Sequence, residues 1–200
     1  MGHSGDLPGR MAIPLAFLYT RNRSAVEGAT RFQKLVFLAQ KENDLPEEYE
    51  YEADKFGPFS AQLHSDIHSL LNQGYVEKNE TLNGVGNTVH VFSLTTKGIR
   101  AARDFAQRDR SGRIFDSTKA VKRRWGDERI DHLIRYVYNK YDDYATETDL
   151  DLDRLFDSDS NSQFLEPEQG QEEEDADYIG PGPGEWKDLN PSAEELFSTK

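Results

Sequence analysis

The chain has no cysteine in its 200 residues. That excludes a disulfide framework and any thiolate metal site, and it fits a reducing cytoplasm. It also lacks a long hydrophobic run. The longest, Met11 to Tyr19, is interrupted by Pro14 and is too short to span a bilayer. No small-residue cleavage site accompanies it, so it reads as a buried helix rather than a signal peptide. We therefore expect a cytoplasmic protein with no membrane segment. Hydrophobic residues make up only 36%, so part of the chain is expected to stay unpacked. Also absent are a phosphate loop, a dinucleotide glycine fingerprint and a nucleophile elbow. We expect no catalytic residues, no cofactor and no enzyme.

What is present is an uneven distribution of charge. The net charge of -13 divides between a near-neutral body and an acidic tail. Residues 1–140 hold 21 Lys+Arg and 18 Asp+Glu, whereas residues 141–200 hold 3 and 19. Adaptation to salt would spread acid over the body as well, and the body is not acidic. The tail contains the run Glu172 to Asp175 and the Gly/Pro stretch Ile179 to Gly184, which holds neither helix nor strand. The expected organisation is a flexible N-terminus over 1–9, one domain over 10–150 and a largely disordered acidic tail over 151–200.

The stretch from Ser60 to Gly98 organises the domain. Leu63, Ile67, Leu70 and Leu71 share one face at helical spacing, with Ser60 as N-cap and Gly74 at the left-handed stop. Two alternating runs follow, Tyr75 to Glu77 and Val89 to Leu94, around the turn-forming LNGVGN, and predict a hairpin. Thr95 then caps another helix, predicted over Lys97 to Arg110, with Ile99, Ala102 and Ala106 facing inward and Arg100, Arg103 and Arg108 outward.

Around this unit the periodicity predicts helices over Ile13 to Asn22, Thr30 to Lys41 with Thr30 as N-cap, Ile114 to Trp125, and Asp127 to Tyr141. Tyr49 to Phe56 predicts a short extended segment leading into Gly57-Pro58, where Phe56 and Phe59 enter the core. The fold class is α+β, mostly helical: a winged helix-turn-helix with extra helices.

The pattern L-x-x-x-I-x-x-L-L-x-x-G-Y-V, then a hairpin, then F-S-L-T-T-K-G-I resembles the end of winged-helix regulators of the PadR and MarR kinds. In those families the helix matching Ser60 to Gln73 enters the DNA major groove, and the hairpin is the wing. A longer resemblance runs over about residues 28–150, through RFQKLVFLAQKE, FGPFS at Phe56 to Ser60, and YVYNKY. It is to the uncharacterised YwgA-like proteins, which are similar to the Panacea domain of Soc-type antitoxins. This implies an archaeal or bacterial accessory protein with a winged-helix-like fold and no catalytic residues.

Two functions follow. The leading expectation is a sequence-specific transcriptional regulator that binds double-stranded DNA without a cofactor. Ser60, Gln62, His64, Ser65, His68, Ser69 and Gln73 on the central helix can hydrogen-bond base edges. Lys97, Arg100, Arg103, Lys119, Lys122, Arg123 and Arg124 can neutralise phosphates. The span Lys97 to Arg135 holds 12 basic and 6 acidic residues. The central helix itself carries no Arg or Lys, and the alternative reading of the basic span is a solvated face that receives the acidic tail. The second function is an antitoxin or adaptor that grips a partner protein. Its contact would lie on the central helix or on apolar islands of the tail, Leu155-Phe156 and Leu196-Phe197 among them. The stripe Ile130 to Tyr141 is long enough either to pack within the chain or to form a homodimer. His64 and His68, at i, i+4, have metal-chelating spacing but no evident third ligand, so no metal is expected.

Overall fold

One helix is buried all round, and the other elements are arranged about it. The computed structural model describes residues 7–82, 88–109 and 111–145. In it, helix α2 (Ala29–Glu42) is buried at every residue from Ala29 to Gln40. The predicted stripe of Phe32, Leu35, Val36 and Ala39, widened by Phe37 and Leu38, is completely enclosed. Phe32 packs edge-on against Phe17 and Phe92, and Phe37 against Tyr51, Tyr141 and Tyr144. The cap is Gly28, at φ +82°, and not the predicted Thr30, which lies inside the helix and is buried. Glycine adopts that φ without a Cβ penalty, so the helix starts earlier than a side-chain cap would place it.

Helix α1 (Ala12–Arg23) precedes it, and strand β1 (Val26–Glu27) joins the two. Regular helix stops at Thr20, and Arg21, Asn22 and Arg23 have positive φ. Helix α3 (Ala61–Asn72) follows a long loop. There Glu52 and Phe59 form one isolated antiparallel bridge where an extended segment was predicted. Strands β2 (Val76–Leu82) and β3 (Thr88–Leu94) form the predicted hairpin, each longer or equal to its apolar pattern. Strand β1 is too short for any periodicity to reveal it. It pairs antiparallel with β3 in the order β1-β3-β2, with Val26 opposite Phe92 and Val76 opposite Leu94.

Helices α4 (Thr96–Arg108), α5 (Arg113–Trp125) and α6 (Ile130–Lys140) complete the described body, an α+β fold that is mostly helical. On α4 the buried face is Gly98, Ala101, Ala102 and Phe105. Ile99 and Ala106, expected inside, are only half-buried, while Arg100, Arg103 and Arg108 are exposed as expected. The shift has a close-packing cause. A Cβ on Gly98 would lie 1.9 Å from the Tyr75 carbonyl oxygen, so this turn of α4 meets the residue that leads into β2 backbone to backbone. On α6, Leu133, Ile134, Val137 and Tyr138 are buried within the chain. Leu7, inside the stretch expected to fray, is buried in the core. The acidic tail over 151–200 lies outside the described residues. Among the described residues, no helix is long and apolar enough to cross a membrane.

Candidate interaction face

The outer side of α3 is held in place by polar contacts on its inner side. Ser60 caps the helix, its hydroxyl accepting from Leu63 N–H at 3.3 Å. Gln33 of α2 then grips Ser60 at both backbone groups: its Nε2 donates to the Ser60 carbonyl and its Oε1 accepts from the Ser60 amide, each at 3.1 Å. The neighbouring Lys34 is 2% exposed and donates from Nζ to the Pro58 carbonyl at 3.1 Å. Burial lowers its pKa to about 7, with Asp54 opposing the shift. Gly57, at φ +84°, lets the chain pass Tyr138, whose ring atom would lie 2.5 Å from any added Cβ. FGPFS is therefore a docking turn read by α2, and its role is structural.

A second anchor lies on α3 itself. Asp66 is buried and accepts from Arg10 through both oxygens, Nε at 2.7 Å and Nη2 at 3.1 Å. The Tyr49 hydroxyl lies 3.1 Å from the same carboxylate, and Gln62 Nε2 donates to it at 3.0 Å. A carboxylate only accepts, so Gln62 must turn its NH₂ inward and its oxygen outward. A buried charge needs partners of this kind, and here they fix the rotation of α3 about its axis.

The C-terminal end of α3 is tied to α4. Lys97 donates from Nζ to the Gln73 carbonyl at 2.8 Å and sits 4.0 Å from the Tyr75 ring centroid. Thr95 donates to the Gly74 carbonyl at 2.7 Å while accepting from Gly98 N–H at 3.1 Å. Helix α3, the hairpin and α4 are thereby joined at one point.

The predicted contact residues divide. Gln62, Ser65 and Gln73 are exposed, and His64, His68 and Ser69 are half-buried. Ser60 is 1% exposed and fully used as a cap, so it is not a contact residue. Gln73 donates to Ser69 Oγ at 2.8 Å. The His64 ring lies 4.5 Å from that of His68 and 6.0 Å from Phe59, centroid to centroid. Burial, then the neighbouring His68, lowers the His64 pKa to about 4. Among the described residues, no group of three His, Cys, Asp or Glu is placed to hold a metal.

The cations divide as well. Arg100, Arg103, Lys119 and Arg123 are exposed. Lys122 is not: it is 2% exposed and donates to the carbonyls of Phe17 and Ser24, holding the irregular end of α1. Burial, then Arg21, lowers its pKa to about 8. Arg21 reciprocates by donating to the Lys122 carbonyl at 3.0 Å and pairing with Asp127 at 2.6 Å. Arg124 is exposed at its edge but stacks over Trp125 and Tyr136, 4.8 and 5.0 Å from their centroids. These exposed cations stand on helices packed against α1, with α5 also against α2. The hairpin adds Glu77 and Glu80 against Lys78, all exposed.

Sequence reasoning missed Gln33, Lys34, Asp66 and the Glu42 cluster. Glu42 Oε1 accepts from Tyr136, Lys140 and Tyr141 at 2.9, 2.9 and 3.0 Å, tying α2 to α6 and keeping its carboxyl pKa low despite burial. The available signal was polar side chains within a helix that is otherwise apolar on all sides. In comparisons with known proteins, no family model matches this chain and no curated protein matches it.

Proposed function

We propose that this chain is a winged-helix module that binds a partner protein through the outer side of α3, as an antitoxin or adaptor does. The winged-helix reading is supported by the order α1-β1-α2-α3-β2-β3 and the sheet order β1-β3-β2. The observation that carries the protein-binding reading is the electrostatics of the presented face. Helix α3 is rigidly held and outward-facing, yet it carries no Lys or Arg, and the adjoining β2 holds two carboxylates against one ammonium. DNA affinity comes chiefly from neutralised phosphates, so such a face offers a duplex little anchorage. It suits a partner whose contacting surface is polar and cationic.

A second reading, DNA binding, is favoured by Arg100, Arg103, Lys119 and Arg123, which are exposed. If all four met phosphates, the log–log salt slope of binding would be about -3.6. The test combines two measurements on the full chain. Titration of a random 30-base-pair duplex (probe length of about three turns) is expected to give weak, unselective binding. Affinity purification is expected to yield a protein that is lost with Ser65→Arg, and calorimetry with that protein purified is expected to reproduce the loss. Selective duplex binding with the four-cation slope, abolished by Arg100→Ala with Arg103→Ala, would reverse the order of the two readings.

A further inference from the structure

The hairpin has one open side. In the order β1-β3-β2, strand β2 is an edge, paired only with β3 among the described strands. It is seven residues long, and every residue after Val76 is exposed. Leu82, at 68%, is the most conspicuous: among the described residues it is the exposed large hydrophobic side chain. Natural edges usually avoid such a combination of length and apolar exposure.

We propose that this edge pairs with β2 of a second copy, antiparallel and about a two-fold axis at Asn79. The argument is the charge pattern Val76-Glu77-Lys78-Asn79-Glu80-Thr81-Leu82. With Asn79 opposite its own counterpart, Lys78 faces the other copy's Glu80, and Glu80 faces its Lys78. Glu77 faces Thr81, and Leu82 lies at the end of the pairing, opposite Val76, which stays buried in its own body. Both ion pairs form at once, as a two-fold contact requires.

Neighbouring registers fail. Backbone pairing across the edge keeps residues of equal parity opposite each other, so slips come in steps of two in the sum of paired numbers. One such slip centres on Lys78 and opposes two lysines; the other centres on Glu80 and opposes two glutamates. Like charges directly opposite destabilise a strand pair, so the charges that blunt this edge against other strands select one register with itself. The contact uses no α3 side chain, but it engages the β2 charges that adjoin the partner-binding face, so the two are tested by separate variants, on β2 and on α3. Its small size places it in the weak, concentration-dependent class.

The test is sedimentation of the full chain in about 0.15 M salt, where exposed pairs are screened only beyond ~8 Å. A monomer–dimer equilibrium is expected. Lys78→Glu alone and Glu80→Lys alone each turn two attractions into two repulsions and are expected to weaken the dimer about tenfold or more. The double variant Lys78→Glu with Glu80→Lys restores opposite charges across the axis and is expected to restore the dimer. Circular dichroism of each variant separates loss of pairing from loss of fold. A chain that stays monomeric at all concentrations overturns the proposal. So does a dimer that is indifferent to the single reversals, or one that the double variant fails to restore in a folded state.

Discussion

Helices α2 and α3 look alike on paper and are used in opposite ways. They are 14 and 12 residues long, and each carries seven polar side chains. In α3 the polar residues mostly face out, and one, Asp66, faces in. In α2 five of the seven, Thr30, Arg31, Gln33, Lys34 and Gln40, are buried. Gln33 and Gln40 each bond both backbone groups of a loop residue, Ser60 and Tyr49, and Lys34 takes the Pro58 carbonyl. Arg31 reaches the carbonyls of Trp125 and Gly126 at the end of α5. A loop enclosed by the body has backbone groups without water, and α2 supplies their partners. Polarity in a sequence thus says that a side chain needs hydrogen bonds, not that it needs solvent.

The largest expected effect falls on α2. Phe37→Ala on α2 should cost about 3–5 kcal/mol, because a fully enclosed ring surrounded by three tyrosines leaves a cavity the site cannot close; chemical denaturation measures it. Next, Gln33→Ala should cost about 2 kcal/mol, since it strands a buried amide and a buried carbonyl at Ser60. A cost below a few tenths would mean that the α2 clamp does not hold α3, and the contrast between the helices would blur.

A third measurement concerns pH. Lys34 loses its proton near pH 7 when folded, against an ordinary value of 10.5. Between those values the unfolded chain binds more protons, so stability should rise with pH, by up to about 1 kcal/mol per unit. Lys122, depressed to about 8, adds to the rise at higher pH. Urea titrations from pH 6.5 to 9.5, with ordinary lysine values setting the range, should show a flatter profile for Lys34→Met than for wild type. The smallest effect belongs to α3. Ser65→Ala is expected to change stability by less than about 0.5 kcal/mol, while altering partner binding if that face is the one used.

These contrasts explain which features were legible beforehand. Ser60, Gly74 and Thr95 announced the ends of α3 and α4 because each acts through its immediate neighbours in the chain. The hairpin was legible because the turn-forming LNGVGN separates two runs of strand-forming residues, although β3 buries Val89 and Phe92 three apart rather than in strict alternation. The clamps were not, because Gln33 and Ser60 lie 27 residues apart and Lys122 and Phe17 lie 105 apart. Lys122 shows the difficulty best. It sits beside Arg123 and Arg124 in one basic run, and only the packing of α5 on α1 turns it inward while Arg123 stays outside. Strand β1 escaped for a different reason: two residues carry no period, and only pairing with β3 defines them.

The contact between Gly98 and the Tyr75 carbonyl has a mechanical consequence. Where two backbones touch with no side chain between them, there is nothing to slide or re-rotamer, so that joint does not serve as a hinge. A displacement of the first turn of α4 therefore presses directly on the backbone at Tyr75, with no side chain between to absorb it.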